Sequence, residues 1–486
     1  MSNEIAKLAP QGLWESFYQL TQIPRPSKKE GKAIDFIENF GKDLGFETIR
    51  DEVGNVIIRK PATPGMENRK GVILQGHIDM VPQKNSDKQH NFETDPIETY
   101  IEDGWVTANG TTLGADNGIG VAAAMAVLKA TDIQHGPVEA LITMDEEAGM
   151  TGANALKAGL LQGDILLNMD SEDEGELYVG CAGGTDANIV FKYAEEAVPE
   201  GSVAYKLNLT GLKGGHSGLD INRGRGNANK LMIRFLKFAI ANLDVRLASI
   251  DGGSLRNAIP REAFAVITLP ADNADELLES IEEFEDIYKE EYKGVEPSIS
   301  FLADAVDIPS GVINEVVQDD LINAVQACPN GVIRFSNDME GLVETSTNLA
   351  SVKSGDGVIE AKCLIRSSVD TAKEDVESSI ESTFRLAGAE VTFGGQYPGW
   401  KPNMDSPILK TMQEVYNKKW GKIPEIKAIH AGLECGILGS AYPHWDMISF
   451  GPTIRFPHSP DEKVNIETVE KFWEFLVETL QDIPEK

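Results

Sequence analysis

The spacing of hydrophobic positions changes several times along the chain, and the changes divide it. From about residue 12 to 45, apolar side chains recur every three or four residues, which predicts helix interrupted by the proline-rich PRPSKKEG. Short apolar, β-branched runs then alternate with helix. GNVIIRK, GVILQGHI, VEALITM and DILLNMD read as strands, and GIGVAAAMAVLKA, between the second and third, reads as a helix. This alternation predicts an α/β layer: a mostly parallel sheet flanked by crossover helices.

Between about 185 and 394 the pattern differs. Longer amphipathic stretches (ANIVFKY, AYKLNLTGL, AFAVITLP, VIEAKCLIRSS) flank the helices NANKLMIRFLKFAIANL and ADELLESIEEFEDIYK, which predicts a separate α+β domain. After about 395, helix (SPILKTMQEVYNKKW), strand (WDMISFG) and a closing helix (ETVEKFWEFLVETL) return. The expectation is therefore a discontinuous first domain, 1–184 with 395–486, interrupted by an inserted domain, 185–394. The insert admits a division into two similar halves, each combining strands with helices, although no repeated motif marks them.

Length supports this division, because 486 residues exceed the ~100 to 150 of one typical domain several times over. The four cysteines, Cys181, Cys328, Cys363 and Cys435, are scattered without a CxxC pair, which argues against a disulfide framework or a thiolate zinc finger and for a reducing, cytoplasmic location. The start, MSNEIAKLAPQGLWESF, lacks the layout of a signal peptide, and no apolar run approaches the ~20 residues of a membrane span. A formal net charge of −33 repels nucleic-acid phosphate and anionic lipid alike, so neither is expected as a partner. Acidic runs such as ADNADELLESIEEFEDIYKEE read as solvated helix faces.

Five short motifs carry the candidate chemistry. In GVILQGHIDMVP an apolar strand runs into His77 and Asp79, two residues apart and so on one side of the strand end. His77 could ligate a metal through one ring nitrogen while a carboxylate fixes the other; a capped strand end is the alternative. In TTLGADNGIG, Asp116 lies in a glycine-flanked loop before a helix, as either an N-cap or a carboxylate bridging two metals. VEALITMDEEAGMTGA ends a strand in Asp145, Glu146 and Glu147, which repel one another unless solvated or held by cations. DILLNMD again delivers a carboxylate, Asp170, from an apolar strand, and SFGPTIRFPHSPDE places His458 in a loop after one.

None of the five is decisive alone. Together they give two histidines and three carboxylates, mostly from the carboxyl ends of α/β strands, where ligands gather in such sheets. If Asp116 bridges, His77 and Asp170 serve one metal and Glu147 and His458 the other. Three carboxylates and a hydroxide then balance two dications. Glu146 is left as the candidate general base.

These motifs, GHIDMVP, LGADNGIG, DEEAGMTGA, NMD and PHSPDE, resemble in order the five ligand-bearing motifs of the dinuclear zinc aminopeptidase, aminoacylase and glutamate-carboxypeptidase-like enzymes. The resemblance implies a metallopeptidase catalytic domain with an inserted lid or dimerisation domain, and two Zn2+ per chain, with Co2+ or Mn2+ as substitutes. It also implies Asp79 as partner of His77, Glu146 as general base and a cis Asp116–Asn117 peptide. The long insert, GLKGGHSGLDINRGRGNANK and HAGLECGIL are most similar to a bacterial branch hydrolysing dipeptides of Xaa-His type, including carnosine (β-alanyl-histidine).

By the same resemblance His216, in GGHSG, stabilises the oxyanion of the tetrahedral intermediate from the lid, although the residues alone also fit an exposed histidine in a glycine turn. Asn257 and Arg366 are implied to hold the substrate carbonyl and terminal carboxylate, the latter through a planar guanidinium fork. A structural ion pair is the alternative for Arg366. Gly432 is implied to offer backbone contacts, whereas Glu434 and Cys435 read as structural. A homodimer is expected by family analogy. The rivals are an N-acyl amino-acid hydrolase on the same metal core, a non-catalytic metal-dependent peptide-binding protein, and a metal-free protein with acidic turns.

Overall fold

A computed structural model describes residues 3–486, and the chain divides into two compact units. The first holds the described residues through Cys181 with Pro402–Ala428 and Leu433–Lys486; the second holds Ala182–Lys401 and Ile429–Gly432. The divisions fall at 181/182 and 401/402 rather than at 184/185 and 394/395. The reason is that Gly183–Lys192 and Glu390–Tyr397 are unbroken strands of the second unit's sheet, which the expected boundaries would cut.

In the first unit an eight-stranded sheet runs in the order Glu47–Arg50, Val56–Lys60, Val138–Thr143, Val72–His77, Ile165–Asn168, Asp446–Ser449, Glu176–Cys181, Glu425–Ile429. Its four central strands are parallel to one another, and antiparallel pairing starts at their outer sides, where Val138–Thr143 meets Val56–Lys60 and Asp446–Ser449 meets Glu176–Cys181. The sequence explains why. VILQGH, VEALIT and ILLN are buried at every position, as strands covered on both faces must be. The helix Ala115–Lys129 crosses from one central strand to the next, and its alanine-rich body is apolar all round because it lies wholly inside. A small antiparallel sheet of Ile454–Arg455, Lys463–Asn465, Trp105–Ala108 and Thr99–Glu102 makes the His458 loop the tip of a paired hairpin.

The second unit is a nine-stranded antiparallel sheet packed on four helices, Ala228–Leu243, Ala274–Glu291, Glu315–Ala327 and Asp370–Leu386, around a continuous apolar core. The strands Ser202–Thr210, Arg246–Gly252, Ala263–Pro270 and Ser300–Val306 stand in the spatial order fourth, first, third, second. The strands Gly183–Lys192, Val343–Gly355, Val358–Ser367 and Glu390–Tyr397 repeat that order in mirror sense, and the two sets meet where Arg246–Gly252 pairs with Val343–Gly355. Among the described residues no helix is long and apolar enough to cross a membrane.

Candidate metal centre

Five side chains from five separate stretches of the first unit converge at the carboxyl ends of its parallel strands. His77 is the last residue of its strand, and its Nε2 lies 3.1 Å from Asp116 Oδ1 and 3.3 Å from Asp170 Oδ1. The other oxygen of Asp116, Oδ2, lies 3.2 Å from His458 Nε2, which is 3.0 Å from Glu147 Oε2. Asp116 is thus common to two three-residue donor sets, His77–Asp116–Asp170 and Asp116–Glu147–His458. Glu146 forms a third possible donor group with His77 and Glu147, but its carboxylate makes no hydrogen bond or ion pair within the described residues. The Asp116–Asn117 peptide is cis.

Buried polar groups fix these positions. His77 Nδ1 lies 3.3 Å from Asp79 Oδ1, which leaves Nε2 facing the other ligands. Asp79 also accepts from Ser27 Oγ at 2.7 Å and from the backbone N–H groups of Glu146 and Glu147 at 2.9 and 3.2 Å, so one carboxylate orients a histidine and the acidic turn together. Burial raises the Asp79 pKa, but the bonds to His77 and Ser27 outweigh it and hold the carboxyl at about 2. The Asp116 loop is gripped by Glu462, whose buried carboxylate accepts the N–H groups of Leu113, Gly114, Ala115 and Asp116 at 2.7–3.2 Å. From the other side the buried Arg25 donates to the carbonyls of Ile78, Asp79 and Gly114. Gly114 needs to be glycine: its φ is +72°, and a Cβ there would stand 2.6 Å from Arg25 Nη2. The acidic turn is tied down by Glu30, which accepts the Asp145 N–H at 2.9 Å.

The sequence reading assigned no role to Arg25, Ser27, Glu30 or Glu462. They lie in the proline-punctuated turns PRPSKKEG and PHSPDE, but what each of them holds is distant in sequence, so no local pattern marked them.

This arrangement calls for positive charge. Burial opposes protonation of His77, yet Asp170 and Asp116 raise its pKa well above the usual value, and hydrogen bonds to Asp116 and Glu147 push His458 up to about 11. Burial, joined by repulsion from Asp116 and Glu147, raises Asp170 to about 6. Asp170 Oδ1 and Glu147 Oε1 are buried without hydrogen-bond partners. Ligand atoms about 2.0–2.1 Å from a tetrahedral zinc stand roughly 3.3 Å apart, and the donor spacings of 3.0–3.3 Å fit that edge. The residues therefore suit a pair of dications.

The other sequence-predicted residues lie in the second unit. His216, half-buried on the short strand Gly215–His216, accepts the N–H groups of Gly218 and Leu219 at Nδ1, at 3.1 and 3.0 Å. A neutral ring so held carries its hydrogen on Nε2. Burial and the charge of Arg366 lower its pKa, favouring that neutral form. Asn257 is exposed on the neighbouring loop, and its carbonyl accepts from Ser217 N at 2.9 Å. Arg366 is buried; its Nη1 donates to Tyr397 Oη at 3.1 Å, and among the described residues it is in no ion pair and its Nε has no partner. Gly432 follows His430, a buried histidine the sequence reading did not single out, whose Nε2 is 2.7 Å from Ser346 Oγ.

Residues 73–482 match the profile of Peptidase family M20/M25/M40. The chain is 50% identical over 484 residues, 100% of both sequences, to the cytosol non-specific dipeptidase of Escherichia coli. It superposes with a TM-score of 0.96 at 52% identity, over 99% of this chain and 98% of the other, on the crystal structure of aminoacylhistidine dipeptidase from Vibrio alginolyticus. An aminopeptidase structure from Bacillus cereus shares the fold alone, with a TM-score of 0.57 at 16% identity over 98% of this chain and 99% of the other.

Proposed function

Because the chain belongs to Peptidase family M20/M25/M40, we propose that it is a metal-dependent dipeptidase acting in the cytoplasm on short, unblocked peptides, those of Xaa-His type and carnosine among them. The observation that carries this reading is the division of Asp116 between two donor sets with Glu146 uncommitted beside them. A binding protein needs ligands but has no use for a base. The names of the two full-length relatives, a non-specific dipeptidase and an aminoacylhistidine dipeptidase, support the substrate class.

His77 and Asp170, Glu147 and His458, with Asp116 between them, would hold two divalent cations, which when bound lower the pKa of a water and polarise a carbonyl. We assign zinc, with cobalt or manganese able to substitute in a His/carboxylate set. Glu146 takes the proton of the attacking water and returns it to the leaving amine. Burial, reinforced by Asp170, Glu434 and Glu147, raises the Glu146 pKa against the pull of His77, which makes it a stronger base than a solvated carboxylate. Asp79 keeps His77 in the tautomer that presents Nε2.

In the second unit, His216 supplies an Nε2–H to the oxyanion and Asn257 an amide to the substrate carbonyl. Arg366 offers its fork to the terminal carboxylate, and Gly432 lends backbone contacts. The missing ion pair of Arg366 and its partnerless Nε support that assignment. We assign a homodimer; Leu302 and Val306, exposed on the outermost strand of the second sheet, support a covered edge.

The test is hydrolysis of carnosine, other Xaa-His dipeptides, histidine-free dipeptides and N-acetylated amino acids, before and after chelation and with zinc restored. Zinc-dependent cleavage of free dipeptides is expected. Cleavage of N-acetylated amino acids alone would transfer the site to the deacylases.

A further inference from the structure

Beneath the metal ligands, four adjacent strands each place a polar residue in an otherwise apolar layer. Thr143, Gln75, Asn168 and Ser449 are all fully buried and joined side to side. Gln75 Nε2 lies 3.2 Å from Thr143 Oγ1, Asn168 Nδ2 donates to Gln75 Oε1, and Ser449 Oγ donates to Asn168 Oδ1. Gln75 and Asn168 each precede a ligand, His77 and Asp170, by two positions, so they set the sheet directly under those ligands.

At one end of this row stands Glu434. Its Oε2 accepts from Gln75 Nε2 at 2.6 Å and from Thr143 Oγ1 at 2.8 Å, while its Oε1 is buried with no partner. No lysine or arginine among the described residues pairs with it, and the charges of His77, Asp170 and Glu146 act on it. A glutamine of the same shape could take both hydrogen bonds without the cost of a buried charge. A fully buried carboxylate, half satisfied and set among other carboxylates, is therefore unfavourable in the chain by itself. Cations bound one layer above would reverse that balance.

We propose that Glu434 is a positioning residue of the metal centre: it braces the row under His77 and Asp170 through Gln75 and Thr143, and its buried negative charge tightens dication binding. This rests on the two-metal reading above. The electrostatic part makes a prediction of unusual sign, because the same charge that helps the loaded protein burdens the metal-free one.

The experiment compares wild type, Glu434→Gln and Glu434→Asp in zinc affinity, measured by competition with a chromophoric chelator, and in thermal melting of the metal-free proteins. Glu434→Gln is expected to bind zinc about 10 to 100-fold more weakly, the usual range for partners outside the coordination shell, while its metal-free form melts no lower than wild type. Glu434→Asp, which keeps the charge, is expected to lose less affinity than Glu434→Gln. Unchanged zinc affinity in Glu434→Gln overturns the proposal, as does an affinity loss matched by a lower metal-free melting temperature, the mark of a merely structural role. If Glu434→Gln does not fold, an aspartate variant that binds zinc no better than Glu434→Ala overturns it. Wild type that binds no zinc would instead remove the two-metal reading itself.

Discussion

The two units bury polar groups of opposite character. In the first, Asp116, Glu147 and Asp170 crowd two histidines and raise the pKa of both, an arrangement that calls for cations. In the second, Arg366 stands near His216 and His430 with no carboxylate partner among the described residues; burial, with the charges of Arg366 and His216, pulls His430 down to about 3. That cluster calls for an anion. The comparison teaches that charge left uncompensated in the protein identifies the ligand more sharply than residue type does, since histidines occur in both clusters and serve opposite electrostatics.

The strongest way to break this contrast is to remove the shared carboxylate. Asp116→Ala deprives both donor sets at once, so zinc content measured by atomic absorption should fall toward zero and dipeptide hydrolysis with it. Retention of one full equivalent of zinc would show that the two sets are independent. Next in size is Glu146→Gln, which leaves every proposed ligand in place. It should retain both metals and lose roughly the 10²–10⁴-fold in kcat that a positioned proton-transfer group contributes. Wild-type turnover in a metal-replete variant would remove Glu146 as the base.

Four of the five proposed ligands, His77, Glu147, Asp170 and His458, stood out in the sequence because each comes after an apolar strand that the chain has reason to bury, and Asp116 stood out as a carboxylate flanked by glycines just before an apolar helix. The groups that hold those ligands did not stand out. Glu462 acts on backbone N–H groups some 350 residues earlier in the chain, and Arg25 on carbonyls of two distant loops. No local pattern records such contacts. Gln75 and Asn168 could have been noticed as amides inside VILQGH and ILLN, strands with no solvent face. The central helices and parallel strands were readable for the same reason as the ligands.

In the second unit Val343–Gly355 escaped the sequence reading because VETSTNLASVKSG looks like a solvated segment, yet it is buried from Val343 to Val352. Three of its polar side chains find partners only in the folded unit: Thr345 with Ser367, Ser346 with His430, and Asn348 Nδ2 with the carbonyl of Ala258.

A smaller change probes the anion-seeking side alone. Arg366→Lys keeps the positive charge but removes the fork, at a cost of about 1.5–3 kcal/mol for a charge-assisted hydrogen bond, or roughly 10 to 150-fold in kcat/KM. The loss should lie mostly in KM, with zinc content unchanged, because no proposed ligand is touched. Equal losses for dipeptides with free and amidated carboxyl termini would contradict the assignment of Arg366 to the carboxylate.

The smallest effect separates stability from chemistry. Asn227 caps the helix Ala228–Leu243: its Oδ1 accepts the N–H groups of Asn229 and Lys230 at 3.1 and 3.3 Å, and its Nδ2 donates to the carbonyl of Leu349 at 3.0 Å. Removing such a cap costs about 1 kcal/mol, and the buried carbonyl left without its donor adds a cost of similar order. Asn227→Ala should therefore lower the denaturation midpoint of the second unit by an amount equivalent to about 1–3 kcal/mol while zinc content stays at the wild-type value. If zinc were lost in proportion to that destabilisation, the metal centre would depend on the folding of the second unit, and the contrast between a self-sufficient cationic site and a separate anionic one would have to be abandoned.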